Sequence, residues 1–213
     1  RCRGPSRSFR RCKRGAESLV RKAAILALTI ALCLSLFACG KGGTDSLAEE
    51  IKKEYAETEN MTLIISVRAD YGSRVYDYKL RCVVEDDEMD IEVVEPEGIK
   101  GLKAHVSEEG IGLEYEGTTL DTGELFGRGL SPLEAIPLML NAWKSGYITE
   151  TRSEKINKTE TLAVTFDLKP AGSDTELTHT VWFDKESHLP VKAELMYGGY
   201  RVIDCVFGNV ILE

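Results

Sequence analysis

The chain has 213 residues, enough for one ordinary domain with an appendage, and a formal net charge of −8. The charge is unevenly distributed, because residues 1–38 hold nine Lys or Arg and one acid, which leaves residues 39–213 with a net charge of −16. A domain this acidic lacks the clustered Lys and Arg that phosphate contacts require, so its composition argues against nucleic acid binding. Anionic lipid headgroups would also repel the domain, so we expect any membrane attachment to be covalent.

A basic pair and a short apolar run indicate export. Arg21 and Lys22 precede fifteen uncharged residues, 23–37, a length typical of a secretory signal and short for a membrane span of about 20 residues. The following Leu-Phe-Ala-Cys at 36–39 resembles the lipobox of bacterial lipoproteins, which implies that Cys39 becomes the mature N-terminus and carries acyl chains such as palmitate. We therefore predict a signal peptide over 20–38 and a lipid anchor on the extracytoplasmic face of the cell membrane. The alternative is an uncleaved helical anchor with an ordinary cysteine.

Residues 1–19 do not fit this pattern. The segment is basic, has no apolar periodicity and does not begin with Met, whereas a GUG codon at Val20 would start a signal of ordinary length. We interpret residues 1–19 as a non-native N-terminal extension. A basic DNA-binding tail is the alternative interpretation.

Two cysteines, Cys82 and Cys205, lie in the part of the chain that would fold after export. In an oxidising compartment they could form a disulfide. They could equally be two buried thiols, because free cysteine behaves as a small apolar side chain. No group of Cys and His has the spacing of metal ligands, so we expect neither a metal nor a cofactor.

The first predicted element after the signal is a helix. Residues 39–45 are rich in glycine and are interpreted as a flexible lipidated tether. Ser-Leu-Ala-Glu at 46–49 has the form of a capping box that opens a helix. Leu47, Ile51 and Tyr55 then repeat every four residues, which predicts a helix with one buried side.

From Met61 onward the apolar period changes to two, which predicts β-strands. The connections between them are too short for parallel crossovers, so we predict an antiparallel sheet, sandwich or barrel. About eleven strands are expected, over 61–68, 76–84, 89–93, 102–107, 111–116, 118–121, 147–156, 159–169, 175–184, 189–197 and 200–212.

One helix interrupts the strands. Ser131 is a suitable N-cap, Pro132 suits the first helical position, Glu134 completes a capping box and Gly146 can end the helix. Because the intervening residues are apolar nearly all round, we expect a helix that lies across the concave face of the sheet, weakened at Pro137. Six of its side chains are candidates either for the lining of a hydrophobic cavity or for ordinary core: Leu133, Ile136, Leu138, Met139, Leu140 and Trp143.

The segment 181–192 carries a family resemblance. It has an apolar and aromatic strand, Asp-Lys at a turn, and an aliphatic-Pro pair that enters the next strand, and the chain ends in Phe-Gly-Asn-Val at 207–210. This pattern resembles the late hairpin and last strand of the LolA-like lipoprotein carrier superfamily. The resemblance implies an α+β, mainly antiparallel β fold over residues 46–213. The family fold is a strongly curved half-barrel of about eleven strands, with the N-terminal and mid-chain helices in its concave face.

The resemblance leaves two functions open. The domain could bind a lipid or another hydrophobic ligand in the concavity between sheet and helix. Alternatively, it could be a non-enzymatic regulatory or structural partner of an envelope protein such as a cell-wall amidase, since the chain is similar in plan to germination lipoproteins of the GerS type. We expect no enzyme, because the chain contains no GxSxG, P-loop or HExxH motif and its histidines are far apart.

Overall fold

The structure, a computed structural model, describes residues 41–86, 88–107, 110–120, 131–168 and 175–213. The predicted extension at 1–19, the predicted signal peptide at 20–38 and the lipidation site Cys39 lie outside the described residues.

Within these described ranges, eleven strands form one antiparallel sheet, as the period-two segments predict. One turn of 3₁₀ helix, Glu97–Ile99, follows the third strand. The strands are β1 Asn60–Asp70, β2 Val75–Glu85, β3 Glu88–Glu95, β4 Lys103–Ser107, β5 Gly110–Tyr115, β6 Thr118–Leu120, β7 Tyr147–Ile156, β8 Thr159–Asp167, β9 Leu177–Asp184, β10 Pro190–Tyr197 and β11 Tyr200–Leu212.

The strand order is β6-β5-β4-β3-β2-β1-β11-β10-β9-β8-β7. A first meander, β1–β6, and a second meander, β7–β11, therefore meet where β1 pairs with β11. Met61 of β1 lies opposite Leu212 of β11, and Ala69 lies opposite Ile203. The sheet is curved and unclosed, with β6 and β7 as its edges. Together with two helices, this confirms the predicted fold class.

Alternate residues of each central strand point to one face, which we call the inner face. In β1, Leu63, Ile65 and Val67 are buried on the inner face, whereas Ser66 and Arg68 are exposed on the outer face. Burial of an aliphatic side chain of this size contributes about 1.5–3 kcal/mol, so the inner face of the sheet supplies most of the core.

The mid-chain helix α2 spans Pro132–Ser145. It lies in the connection between β6 and β7, the two opposite edges of the sheet, so this connection has to cross a face. Seven of the fourteen residues of α2 are buried, so the helix crosses on the inner side of the sheet, where its apolar side chains are covered. This confirms the prediction that the helix is packed in the concave face.

The N-terminal helix α1 spans Lys41–Glu57, so it begins five residues before the predicted start at Ser46. The expected flexible conformation is therefore wrong for residues 41–45, and so is the capping box at 46–49, because Ser46 lies inside the helix. Lipidation of this segment stays a prediction. A tertiary contact outweighs the low helix propensity of glycine here, since the Thr151 hydroxyl of β7 donates to Asp45 and lies 3.0 Å from the hydroxyl of Thr44. The predicted apolar stripe is confirmed, with Ile51 and Tyr55 buried.

Among the described residues, neither helix combines the length and the apolar character that crossing a bilayer requires.

Candidate functional site: the inner face under helix α2

Both ends of α2 are capped as the sequence predicts. The backbone N–H of Glu134 donates to the Ser131 hydroxyl at 3.3 Å, and Pro132 occupies the first turn. At the other end, the N–H of Gly146 donates to the carbonyl of Ala142 at 2.8 Å. A Cβ on Gly146 would lie 2.6 Å from that carbonyl oxygen and 2.8 Å from the Phe166 ring. Glycine is therefore required where the helix closes onto β8.

The six candidate cavity residues do not share one environment. Ile136, Met139, Leu140 and Trp143 are buried in the core, with Trp143 only 1% exposed. Leu133 and Leu138 pack against the same core but remain partly exposed. Helix α2 is thus fixed to the sheet along one side, and only Leu133 and Leu138 are accessible to a ligand without displacing it.

A buried pair that the sequence did not predict holds the C-terminal half of α2. The indole N–H of Trp143 donates to Nε2 of His179 in β9 at 2.8 Å. Because Nε2 accepts this hydrogen bond, Nδ1 of His179 carries the proton, and it donates to the Glu194 carbonyl of β10 at 3.1 Å. Burial lowers the pKa of His179 to about 4, so the imidazole is neutral at pH 7.

Aromatic rings enclose this pair. The imidazole of His179 stacks between the rings of Trp143 and Phe166, at centroid distances of 6.3 and 5.8 Å. Trp143 also meets Phe183 and Phe207 edge-on, each at 5.6 Å. Such pairs each add about 0.5–1.5 kcal/mol beyond area burial, so α2 is permanent core on this side of the sheet.

Helix α1 also contacts this aromatic cluster. The Tyr55 ring lies 5.5 Å from the ring of Trp143, and its hydroxyl donates to the carbonyl of His188 at 3.1 Å. Glu54 lies 2.7 Å from Nδ1 of His188, and the Lys52 ammonium donates to the Gly146 carbonyl at 2.7 Å. The inner face is therefore sealed where α1 and α2 meet β9.

The inner face is less completely covered on the strands of the first meander. Ile91, Val93 and Ala104 are buried there. Other apolar side chains pack on the core from positions that are only partly buried: Ile99, Leu102, Val106 and Ile111. Leu133 and Leu138 of α2 are also only partly buried. Accessible apolar surface therefore occurs both on α2 and on the first meander.

The cavities of about 550, 470 and 320 Å³ in the described part of the chain lie elsewhere. They are lined by residues of β1, β2, β11 and neighbouring segments, and none of the six candidates lines them. The cavity of about 550 Å³ lies across the outer face, where Arg68–Asp77 and Lys79–Glu95 are ion pairs. Within the described residues, no group of three or more His, Cys, Asp and Glu side chains is placed to hold a metal ion.

The two cysteines are free and fully buried. Cys82 lies in β2 and Cys205 in β11, and β1 separates these strands. Two strand spacings of about 4.8 Å exceed the usual Cα separation of a disulfide, so the structure favours the alternative of two thiols. Burial raises the pKa of Cys82 to about 12 and also raises the pKa of Cys205, which keeps both protonated.

Because both thiols are buried and protonated, we expect the native protein to resist alkylation by iodoacetamide and to melt at the same temperature with and without reductant. Denaturation should expose two reactive thiols per domain, measurable as two added alkyl groups by mass spectrometry. A lower melting temperature in reductant, with no thiols in the denatured oxidised protein, would instead establish the disulfide.

The comparisons with known proteins concern the fold. No protein-family model matches the chain, and no curated protein matches it. Solved structures do: lipoprotein LppX of Mycobacterium tuberculosis is 13% identical over 77% of this chain and 94% of its own, with a TM-score of 0.42. LprF of Mycobacterium bovis is 12% identical, covering 80% and 94%, with a TM-score of 0.41. A LolA superfamily protein of Nitrosomonas europaea is 10% identical, covering 80% and 93%, with a TM-score of 0.41.

These TM-scores are all below 0.5, and the identities are low. The description of the fold therefore depends on the strand order and the two helices of this chain itself. The similarity to germination lipoproteins of the GerS type stays a prediction. The structural neighbours of this chain include a LolA superfamily protein and the mycobacterial lipoproteins LppX and LprF.

Proposed function

We propose that this protein is a non-enzymatic lipoprotein of the cell envelope, anchored to the membrane through Cys39, that binds a lipid or other hydrophobic ligand on its inner face. The observation that carries the ligand proposal is that apolar side chains of both α2 and the first meander pack against the core and yet remain partly exposed. Leu133 and Leu138 contribute from the helix, and Val106 and Ile111 from the sheet. Apolar side chains on a concave surface are typical of sites that bind acyl chains.

The ligand would bind beside α2 and leave the helix in place. The C-terminal half of α2 is held by the Trp143–His179 hydrogen bond and by the aromatic cluster, so displacing it would expose several large rings. A ligand in contact with Leu138 needs no such displacement. This restricts the proposed site to the N-terminal half of α2 and the adjacent strands.

The sealed region gives the alternative function its support. Where α1 and α2 cover the inner face, there is little room for a ligand. This favours a function as a regulatory or structural partner of another envelope protein. The two functions differ in what Leu138 does. In a ligand site, Leu138→Glu would place a carboxylate against acyl carbon and weaken binding, because burying an unpaired charge is costly.

The ligand proposal is tested with a fluorescent fatty acid and three proteins: wild type, Leu138→Glu, and the matched control Asn141→Glu at an exposed position of α2. We expect saturable binding by wild type and by the control, and a loss of at least tenfold in affinity for Leu138→Glu. No saturable binding by any of the three would leave the partner function as the better explanation.

The anchor is tested separately. Because the proposed acyl groups are attached to the Cys39 sulfur, Cys39→Ser should leave either an uncleaved precursor or a released product. Globomycin, which blocks the lipoprotein signal peptidase, should cause the diacylglyceryl precursor to accumulate. A mature band that stays with the membrane fraction in both experiments would contradict the anchor.

A further inference from the structure

The tyrosines of this protein are distributed unevenly over the sheet. The chain has eight tyrosines. The register of the strands brings seven of them to one end, where the β1–β2, β5–β6 and β10–β11 turns and the start of β7 lie: Tyr71, Tyr76, Tyr78, Tyr115, Tyr147, Tyr197 and Tyr200. We call this end the tyrosine end. The eighth, Tyr55, is buried in α1 and donates to His188 in the β9–β10 turn at the opposite end.

The strand pairing places these residues together. Tyr76 of β2 lies opposite Ala69, and Ala69 lies opposite Ile203 of β11, next to the Tyr197–Tyr200 pair that closes the β10–β11 turn. Continuing across the sheet, Tyr197 lies opposite Leu177 of β9. Asp167 of β8 in turn lies opposite both Thr178 and Tyr147. The tyrosine end therefore extends across the whole second meander.

Several of these rings are unusually accessible for large side chains. Tyr147 is 74% exposed and Tyr200 79%, while Tyr71 and Tyr76 are about 40% exposed beside the exposed Val75. The Tyr76 ring stacks on that of Tyr78 at a centroid distance of 6.3 Å and lies tilted against the Tyr71 ring at 6.1 Å. Burial raises the pKa of Tyr71 to about 12, with smaller contributions from Tyr78 and Glu134, so its phenol is uncharged at neutral pH.

The opposite end of the sheet has a different chemistry. Acidic residues surround the β2–β3 turn, the end of α1 and the C-terminus: Glu57, Glu59, Glu85, Asp86, Glu88 and Glu213. At the tyrosine end, the charged residues nearest the β1–β2 and β10–β11 turns are of both signs, and Arg201 pairs with Asp204 and Glu194. An anionic bilayer surface would therefore meet charges of both signs around the β1–β2 and β10–β11 turns, but mainly acidic residues around the β2–β3 turn and the end of α1.

We propose that the tyrosine end is the surface of the protein that rests on the phospholipid headgroups of the bilayer. The inference rests on the proposed anchor at Cys39. Since α1 begins only two residues after Cys39, the acylated residue and the start of the helix can be no more than about 7 Å apart, so some face of the domain must meet the headgroups. Tyrosine, with an apolar ring and a hydrogen-bonding tip, is enriched at this depth of the bilayer.

The test uses the full chain, purified from membranes of an exporting host and reconstituted into vesicles of phosphatidylcholine and phosphatidylglycerol with brominated acyl chains. A tryptophan is introduced at the tyrosine end by Tyr76→Trp or Tyr200→Trp, and at the opposite end by the control Lys158→Trp in the exposed β7–β8 turn. The native Trp143 and Trp182 are buried, and wild type supplies their background emission. We expect the bromine atoms to quench most of the added emission in Tyr76→Trp and Tyr200→Trp, and little in Lys158→Trp.

Flotation of the same samples separates this inference from the proposed function. If the protein floats with the vesicles but quenching is equal at both ends, or absent, the proposed orientation is wrong while the anchor is supported. That result would favour a tyrosine end that binds a protein partner. Protein that does not float with the vesicles refutes the anchor and the orientation together.

Discussion

Replacing Leu140 with glutamate is expected to prevent the domain from folding. Leu140 is 3% exposed and lies on the side of α2 that packs into the core. The substitution removes apolar burial, where truncation to alanine alone costs about 2–5 kcal/mol, and adds an unpaired buried charge. Since domains of this size have about 5–15 kcal/mol of stability, the sum is enough to unfold many of them.

The measurement is circular dichroism and thermal melting of Leu140→Glu beside Leu138→Glu and Asn141→Glu. The three substitutions introduce the same charge on the same helix at buried, partly buried and exposed positions. We expect only Leu140→Glu to lose its cooperative melting transition. A folded Leu140→Glu variant would mean that α2 can move away from the sheet, which contradicts its fixed packing in the core.

Acidification is expected to destabilise the protein through His179. In the unfolded chain this imidazole takes up a proton near its ordinary pKa of 6.5, whereas burial lowers the pKa in the folded protein to about 4. Between these values the unfolded state binds more protons, so the free energy of unfolding falls as pH falls. The full shift corresponds to about 3 kcal/mol, lost progressively from about pH 6.5 to pH 4.

His179→Gln isolates this contribution, because glutamine does not titrate and its carbonyl can still accept the Trp143 N–H. Urea denaturation from pH 7 to pH 4 should show a smaller loss of stability for His179→Gln than for wild type. The control His105→Gln removes an exposed histidine beside Asp90 and should leave the wild-type loss in place. Equal pH dependence in wild type and His179→Gln would show that His179 is not buried in its neutral form.

The sequence predicts this fold well because the sheet is built from local patterns. Alternation such as Leu63, Ile65 and Val67 identifies a strand and its inner face without knowledge of its neighbours. The helix α2 was predictable for the same reason, since Ser131, Pro132 and Gly146 mark its ends. Short connections then leave an antiparallel meander as the simplest arrangement.

Two features that the sequence did not determine depend on contacts between distant parts of the chain: the start of α1, which was predicted wrongly, and the state of the two cysteines, which was left open. The extension of α1 to Lys41 depends on Thr151, more than a hundred residues away. Whether Cys82 and Cys205 could be bridged depends on β1 lying between β2 and β11, an order that the spacing of cysteines does not contain.

The candidate site was predictable only in part. An apolar stretch identifies α2 as buried but cannot tell Leu138 from Leu140, because that difference depends on where the helix lies on the sheet. His179 carried a usable signal, since it occupies an inner-face position between Leu177 and Val181, where a polar side chain needs a buried partner. The indole N–H of Trp143 is such a partner.

The most direct test of the central claim, that the inner face beside α2 holds a hydrophobic ligand, is the mass of the protein purified from an exporting host, measured under native and denaturing conditions. A covalent acyl anchor adds mass in both, whereas a bound ligand adds mass only in the native spectrum. We predict a native mass that exceeds the denatured mass by one lipid-sized ligand in wild type and in Asn141→Glu, but not in Leu138→Glu. Identical native and denatured masses for wild type would contradict the claim and indicate a sealed inner face.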